Sequence, residues 1–169
     1  MRLYSGKIAT IAAEVVRSLL TAKDVETENP KDVEADVASV LSQYLSDERE
    51  VNDRAKDVLE RTGKSQADYS RVRQLVAEEK GIKVGDEALD YLLDQVVAML
   101  MHSNSVDEVY VEDVELRRKM APIFKKHMTV DSLIDAEVRA QLRHVRDGSR
   151  EWEIEYARVL DQVKRRKGL

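Results

Sequence analysis

A chain of 169 residues that is 43% hydrophobic, 36% charged and 5% aromatic has the length of one domain or two small ones. A charged share well above the usual quarter or so suits exposed helices around narrow apolar seams. The net charge of −5 argues against a dedicated nucleic-acid binder, and the lack of cysteine excludes disulfides, thiolate metal sites and cysteine nucleophiles.

Along the chain, glycines and prolines mark off six predicted helices. The first spans about Ser5 to Ala22, with Ile8, Ile11, Ala12, Val15, Val16, Leu19 and Leu20 on one face. Lys7, Glu14 and Arg17 interrupt its apolar run, so it reads as neither signal peptide nor membrane span, and a cytoplasmic location is expected. The second opens at Asn29-Pro30, a cap followed by a proline at the first helical position. It runs to Thr62-Gly63 with Val37, Val40, Tyr44, Val51 and Val58 as a heptad seam, and Asp47 and Arg54 at core-type positions make that seam leaky.

The third helix is predicted from Ser65, capped with Asp68, to Gly81, on a stripe of Tyr69, Val72, Leu75 and Val76. The fourth runs from Asp86 to about Ser103 with Leu89, Leu92, Leu93, Val96, Val97, Leu100 and Met101 inward. Val109-Tyr110-Val111 reads as a short strand, with Ile82-Lys83-Val84 as its candidate partner. Asp113 is the expected cap of the fifth helix, Pro122 predicts a kink or break inside it, and helix is expected to resume after Met128 through Asp147. Ser149 caps the sixth, on a stripe of Trp152, Tyr156, Val159, Leu160 and Val163.

The two halves resemble each other. Sliding Ile8 onto Leu89 sets Ile8, Ile11, Ala12, Val15, Val16, Leu19, Leu20, Val25 and Val33 against apolar residues through Val114. A slightly larger shift places Tyr69, Arg71, Val72, Val76, Lys80 and Gly81 on identical residues from Tyr156 to Gly168. The expected fold is therefore all-α: six helices as two duplicated three-helix units, residues 1–82 and 83–169, elongated or branched, with at most a minimal two-stranded ribbon.

Catalytic signatures are missing from the sequence. His102, His127 and His144 lack the spacing of paired ligands on one helix face, and no phosphate loop, dinucleotide fingerprint or nucleophile elbow occurs. No enzyme activity, metal or cofactor is expected.

Charge is segregated instead. Lys83 to Glu115 holds nine acids and one base, whereas Leu116 to Met128 holds five bases and no acid. Arg117, Arg118, Lys119, Lys125 and Lys126, with Lys164, Arg165, Arg166 and Lys167, form the candidate basic docking surface. The bland alternative is bases rimming a core of Met120, Ile123 and Phe124 and favourable helix-dipole placement.

Met1-Arg2-Leu3-Tyr4 with Ile8-Ala9, the block Val109-Tyr110-Val111-Glu112-Asp113-Val114-Glu115-Leu116-Arg117-Arg118-Lys119-Met120, and Arg165-Arg166-Lys167-Gly168-Leu169 together resemble the bacterial domain-of-unknown-function 507 family over essentially the whole chain. That resemblance implies an all-helical bacterial protein and supplies no catalytic residues. Asp86 to Met120 is also similar in order to the second half of an archaeal-type histone fold, although its helix is much shorter and the segment before Leu116 is acidic where DNA wrapping demands bases. The expected function is a non-enzymatic protein-interaction or scaffold role with a protein partner. The alternative is nucleic-acid association through 117–126 and 164–167, and exposed heptad positions on the second helix are compatible with a homodimer.

Overall fold

The structure, a computed structural model, describes residues 1–128 and 131–169. Its described residues form helices α1 (Ile8–Thr21), α2 (Pro30–Thr62), α3 (Tyr69–Lys80), α4 (Ala88–His102), α5 (Asp113–His127), α6 (Asp131–Gln141) and α7 (Arg150–Lys167), with strands β1 (Val25–Glu26) and β2 (Glu108–Val109). The fold is all-α apart from that ribbon. Short 3₁₀ turns lead into α1, α3 and α4.

Three apolar clusters organise the chain. The central one joins α1, the first half of α2, α4 and α5, with Ile11, Val15, Leu41, Leu92, Leu116 and Phe124 fully enclosed. Within it, α1 packs on α2 and α5, while α4 packs on α5 and α2. The second half of α2 buries Val51, Ala55 and Leu59 against Val72, Val76 and Ala77 of α3 and against Ile82 and Val84 beyond it. The third cluster is separate: Ile134, Val138 and Leu142 of the α6 segment meet Val159 and Val163 of α7. At 1.5 Å per residue α2 is about 50 Å long, so one helix carries two of the three clusters.

The ribbon stitches the two halves of the central cluster. β1 pairs antiparallel with β2, Val25 opposite Val109. Flanking bonds extend the link: Asp107 N–H to Glu26 O at 2.9 Å, Tyr110 N–H to Asp24 O at 2.8 Å and Thr27 Oγ1 to Ser105 O at 2.6 Å. The partner of the second strand is thus 25–26, not Ile82-Lys83-Val84. Ile82 and Val84 are instead buried side chains under α2, which spends their apolar faces on core rather than on a ladder.

Several sequence expectations are corrected. Seven α-helices form among the described residues, not six, because the fifth expected helix is two. Pro122 does not end α5, which continues to His127. The ring sits on an exposed face, where water solvates the carbonyl whose partner N–H is lost. The interruption comes after His127 instead, and α6 ends at Gln141, short of Asp147.

The α2 seam runs through Val37, Leu41, Tyr44, Glu48, Val51, Ala55 and Leu59, at intervals of three or four residues. Asp47 and Arg54 therefore lie beside it, and Glu48 is the buried charge, 7% exposed. Leu75 and Met101, expected to face inward, are 52% and 39% exposed. Asn29, Ser65 and Asp113 make no side-chain cap bond to a helix amide, and Glu112 rather than Asp113 holds the cap position of α5. Ser149 does cap, accepting from Trp152 N–H at 3.1 Å.

Candidate functional site

The structure places seven of the nine candidate basic residues in ion pairs within the chain. On α5, Arg117 reaches across to Asp90 at 2.8 Å and to Asp94 of α4. Arg118 binds Glu115 one turn back at 2.5 Å, a contact that lowers the carboxyl's pKa and raises the guanidinium's. Lys119 reaches Asp24 at 2.5 Å, and Asp24 is 4% exposed at the α1–β1 turn. Lys126 and His127 both hold Glu14 of α1, at 2.9 and 2.5 Å, and these contacts keep that carboxyl below its ordinary range, His127 contributing most. Lys125 is exposed.

On α7, Arg165 pairs with Asp161 at 2.8 Å, and Arg166 and Lys167 both pair with Glu137 of α6, Lys167 at 3.0 Å. The Lys164 ammonium lies 5.5 Å from the Tyr4 ring centre. The two basic runs accordingly occupy different places, one against α1, α4 and the ribbon turn, the other against α6 and the N-terminal segment.

The acidic stretch before α5 surrounds a different feature. Where α4 ends beside the start of α5, Val97, Ala98 and Met101 from α4 and Val114 from α5 line a groove of about 430 Å³. Val114 is 76% exposed and Met101 39%. Asp94 and Asp113 stand on the rim, with Arg117 holding Asp94 at one side. A second depression of about 530 Å³ opens on the other flank of α4, lined by Val40 of α2 and by Met99 and His102. His102 lines both, so the C-terminal turn of α4 is a ridge between two hollows.

Periodicity alone concealed this groove. Met101 continues the inward α4 stripe, yet in the last turn of α4 it lines the open groove beside the first turn of α5 and is 39% exposed. Val114 was matched to Val33, but Val33 is 1% exposed, and the enclosed residue at the corresponding place in α5 is Leu116. The readable signal was the run of acids around two apolar residues.

Among the described residues no three His, Asp or Glu side chains converge as metal ligands, and no helix is long and apolar enough to cross a membrane. No curated protein matches the chain. The family described as "Protein of unknown function (DUF507)" matches residues 1–169, the whole chain, and the protein belongs to that family.

Proposed function

We propose that this protein is a non-enzymatic, cytoplasmic interaction protein that seats a basic amphipathic helix of a protein partner in the α4–α5 groove. One observation carries the reading: exposed Val114 and Met101 share a concave surface beside the exposed Asp113 carboxylate, with the Asp94–Arg117 pair at its other side. Burying exposed apolar side chains supplies affinity, and a carboxylate rim selects a cationic partner and speeds its approach. An acidic partner or a second copy of this chain, itself acidic on that face, is disfavoured by the same rim.

The scaffold around the groove supports the reading. We infer that residues 1–82 and 83–169 are one unit used twice, because α1 packs on α2 and α4 on α5, the two pairs pack on each other, and β1 pairs with β2 between them. The α2–α3 and α6–α7 pairs then project as arms from a shared core, as a branched adaptor requires. Nucleic-acid association through 117–126 and 164–167 draws less support. Phosphates would have to displace carboxylates already bound to Arg117, Arg118, Lys119, Lys126, Arg165, Arg166 and Lys167.

The test is a photo-crosslinking amino acid placed at Val114 in the full chain in cells. The expected product is one protein joined through a Lys- or Arg-rich amphipathic segment, and a synthetic peptide of that segment should bind the purified chain and lose affinity to Val114→Lys. Crosslinks to an acidic segment, to nucleic acid or to a second copy of this chain overturn the proposal, as does a Val114→Lys variant that binds the peptide normally.

A further inference from the structure

The α6–α7 pair repeats the arrangement of α2 and α3. Val72 and Val76 of α3 are buried with the second half of α2, and Val159 and Val163 of α7 are buried with α6. Lys80, the last residue of α3, reaches Asp47 and Glu50 of α2 at 3.4 and 2.7 Å, and Lys167, the last residue of α7, reaches Glu137 of α6 at 3.0 Å. Both helices end on a left-handed glycine, after which Ile82 N–H donates to Ala77 O at 3.0 Å and Leu169 N–H to Lys164 O at 2.9 Å.

The two pairs are attached to the central cluster differently. α2 is unbroken from Pro30 to Thr62, so one helix carries both the central cluster and the packing of α3. After Gly81 the chain runs through buried Ile82 and Val84 into a 3₁₀ turn (Gly85–Glu87) and α4. On the other side α5 ends at His127, Met128 leaves it with extended backbone (φ −78°, ψ 141°), and α6 starts at Asp131. Met128 is buried in the central cluster, which anchors that edge of the joint. The end of α7 then meets the 3₁₀ turn before α1 through space. A Cβ at Gly6 would stand 2.5 Å from Gly168 O and 2.8 Å from Leu169 C. Where the first pair has chain continuity, the second has packing.

The apolar burial of the α6–α7 pair is also spent within it. Ile134, Val138, Leu142, Val159 and Val163 pack on one another, and none belongs to the central cluster. Towards the rest of the chain the pair presents the backbone of Gly168 and the Lys164 ammonium, 5.5 Å from the centre of the Tyr4 ring. Units that meet without a large apolar interface move relative to each other. The α2–α3 pair is denied that motion, because bending it away would break the backbone ladder of α2.

The geometry points to α6–α7 as a latched arm, which swings as a unit about Met128 and is held closed by the fit of Gly168 and Leu169 against Gly6. Gly6 is the latch residue because only a hydrogen leaves room for that backbone. Opening withdraws Lys164 from Tyr4 and leaves the α6–α7 cluster intact. The arm is independent of the reading of the α4–α5 groove.

The experiment measures distances between spin labels on cysteine pairs introduced into the full chain, which has no cysteine of its own. Asp57→Cys with Gln162→Cys spans α2 and α7, and Ser132→Cys with Glu151→Cys spans the arm internally; all four positions are exposed. The parent should show mainly one short α2–α7 distance. Gly6→Ala, and separately a chain ending at Lys167, should each raise the ratio of long to short α2–α7 distances about tenfold or more, with the internal distance unchanged. A parent already dominated by the long distance, an α2–α7 distribution that stays put in either variant, or an internal distance that lengthens with it overturns the inference.

Discussion

Gly6→Ala tests whether the two ends of the chain meet as the structure places them. Gly6 lies in a 3₁₀ turn (Ser5–Lys7) without positive φ, so alanine is locally compatible there. On local grounds it should stabilise by about 0.4–1 kcal/mol, because the unfolded chain loses freedom. The tertiary contact reverses that sign. A Cβ at Gly6 would stand 2.5 Å from Gly168 O and 2.8 Å from Leu169 C, both backbone atoms that cannot rotate aside. Restoring ordinary contact requires the C-terminal residues to withdraw by nearly 1 Å or so, overpacking that costs about 1–3 kcal/mol. The net expectation is about 1–2 kcal/mol of destabilisation, after the local gain is subtracted. Urea denaturation of four proteins measures it: the parent, Gly6→Ala, a chain ending at Lys167, and that shorter chain with Gly6→Ala. In the shortened background alanine should become neutral or stabilising, and the difference between backgrounds isolates the contact. If Gly6→Ala stabilises the full-length chain, the termini do not touch and the placement of α7 is wrong.

Phe124→Ala empties the largest fully buried side chain of the central cluster and should cost about 3–5 kcal/mol, read from the urea midpoint; a loss below 1 kcal/mol or so would mean α5 does not seal that core. Ser149→Ala removes the hydroxyl that accepts from Trp152 N–H and should lower stability of the α6–α7 pair by about 1 kcal/mol, while Ser149→Asp should retain it; equal loss in both variants would discount the cap. The same pair should lose stability at both pH extremes, monitored by the fluorescence of Trp152, the chain's only tryptophan. Tyr156 donates to Asp135 at 2.6 Å, which lowers that carboxyl below its ordinary 3.8, while burial and then the carboxylate raise the phenol to about 12. A depressed carboxyl stabilises above its unfolded value and fails as pH falls through the folded one; a raised phenol stabilises below 10 and fails as pH rises through about 12. Tyr156→Phe should blunt both responses, and an unchanged profile in that variant would contradict the assignment.

Most of the helices were legible in the sequence, the division of the fifth into α5 and α6 apart. Their apolar positions recur at three- and four-residue intervals, and Gly63, Gly81 and Gly168 end α2, α3 and α7 with φ of 64°, 80° and 63°, a conformation that suits glycine. The candidate surfaces were less so. A basic run in sequence is only a count of charge, and whether it faces a partner depends on which carboxylates other helices bring to it. Arg117 meets Asp90 and Asp94, Lys119 meets Asp24, and Lys126 meets Glu14, each from an element far away in the chain. Asp47 and Glu48 illustrate the same limit at closer range. Both fit a heptad and both meet a base of α3, Glu48 meeting Arg73 at 2.8 Å and Asp47 meeting Lys80 at 3.4 Å, and only the packing of α3 against α2 puts Glu48 in the buried seam and Asp47 beside it.

Composition and periodicity determined by themselves that this chain is helical, free of thiol chemistry and built on narrow apolar seams, since those properties are local: they follow from side-chain type and from 3.6 residues per turn. The pairing of the 25–26 segment with 108–109, the exposure of Val114, the ion pairs of Arg117, Lys119 and Lys126, and the meeting of Arg2, Arg49 and Lys164 along one hollow were decided by the tertiary structure alone. Each depends on the distance between residues far apart in sequence, and a repeating local pattern leaves that distance undetermined.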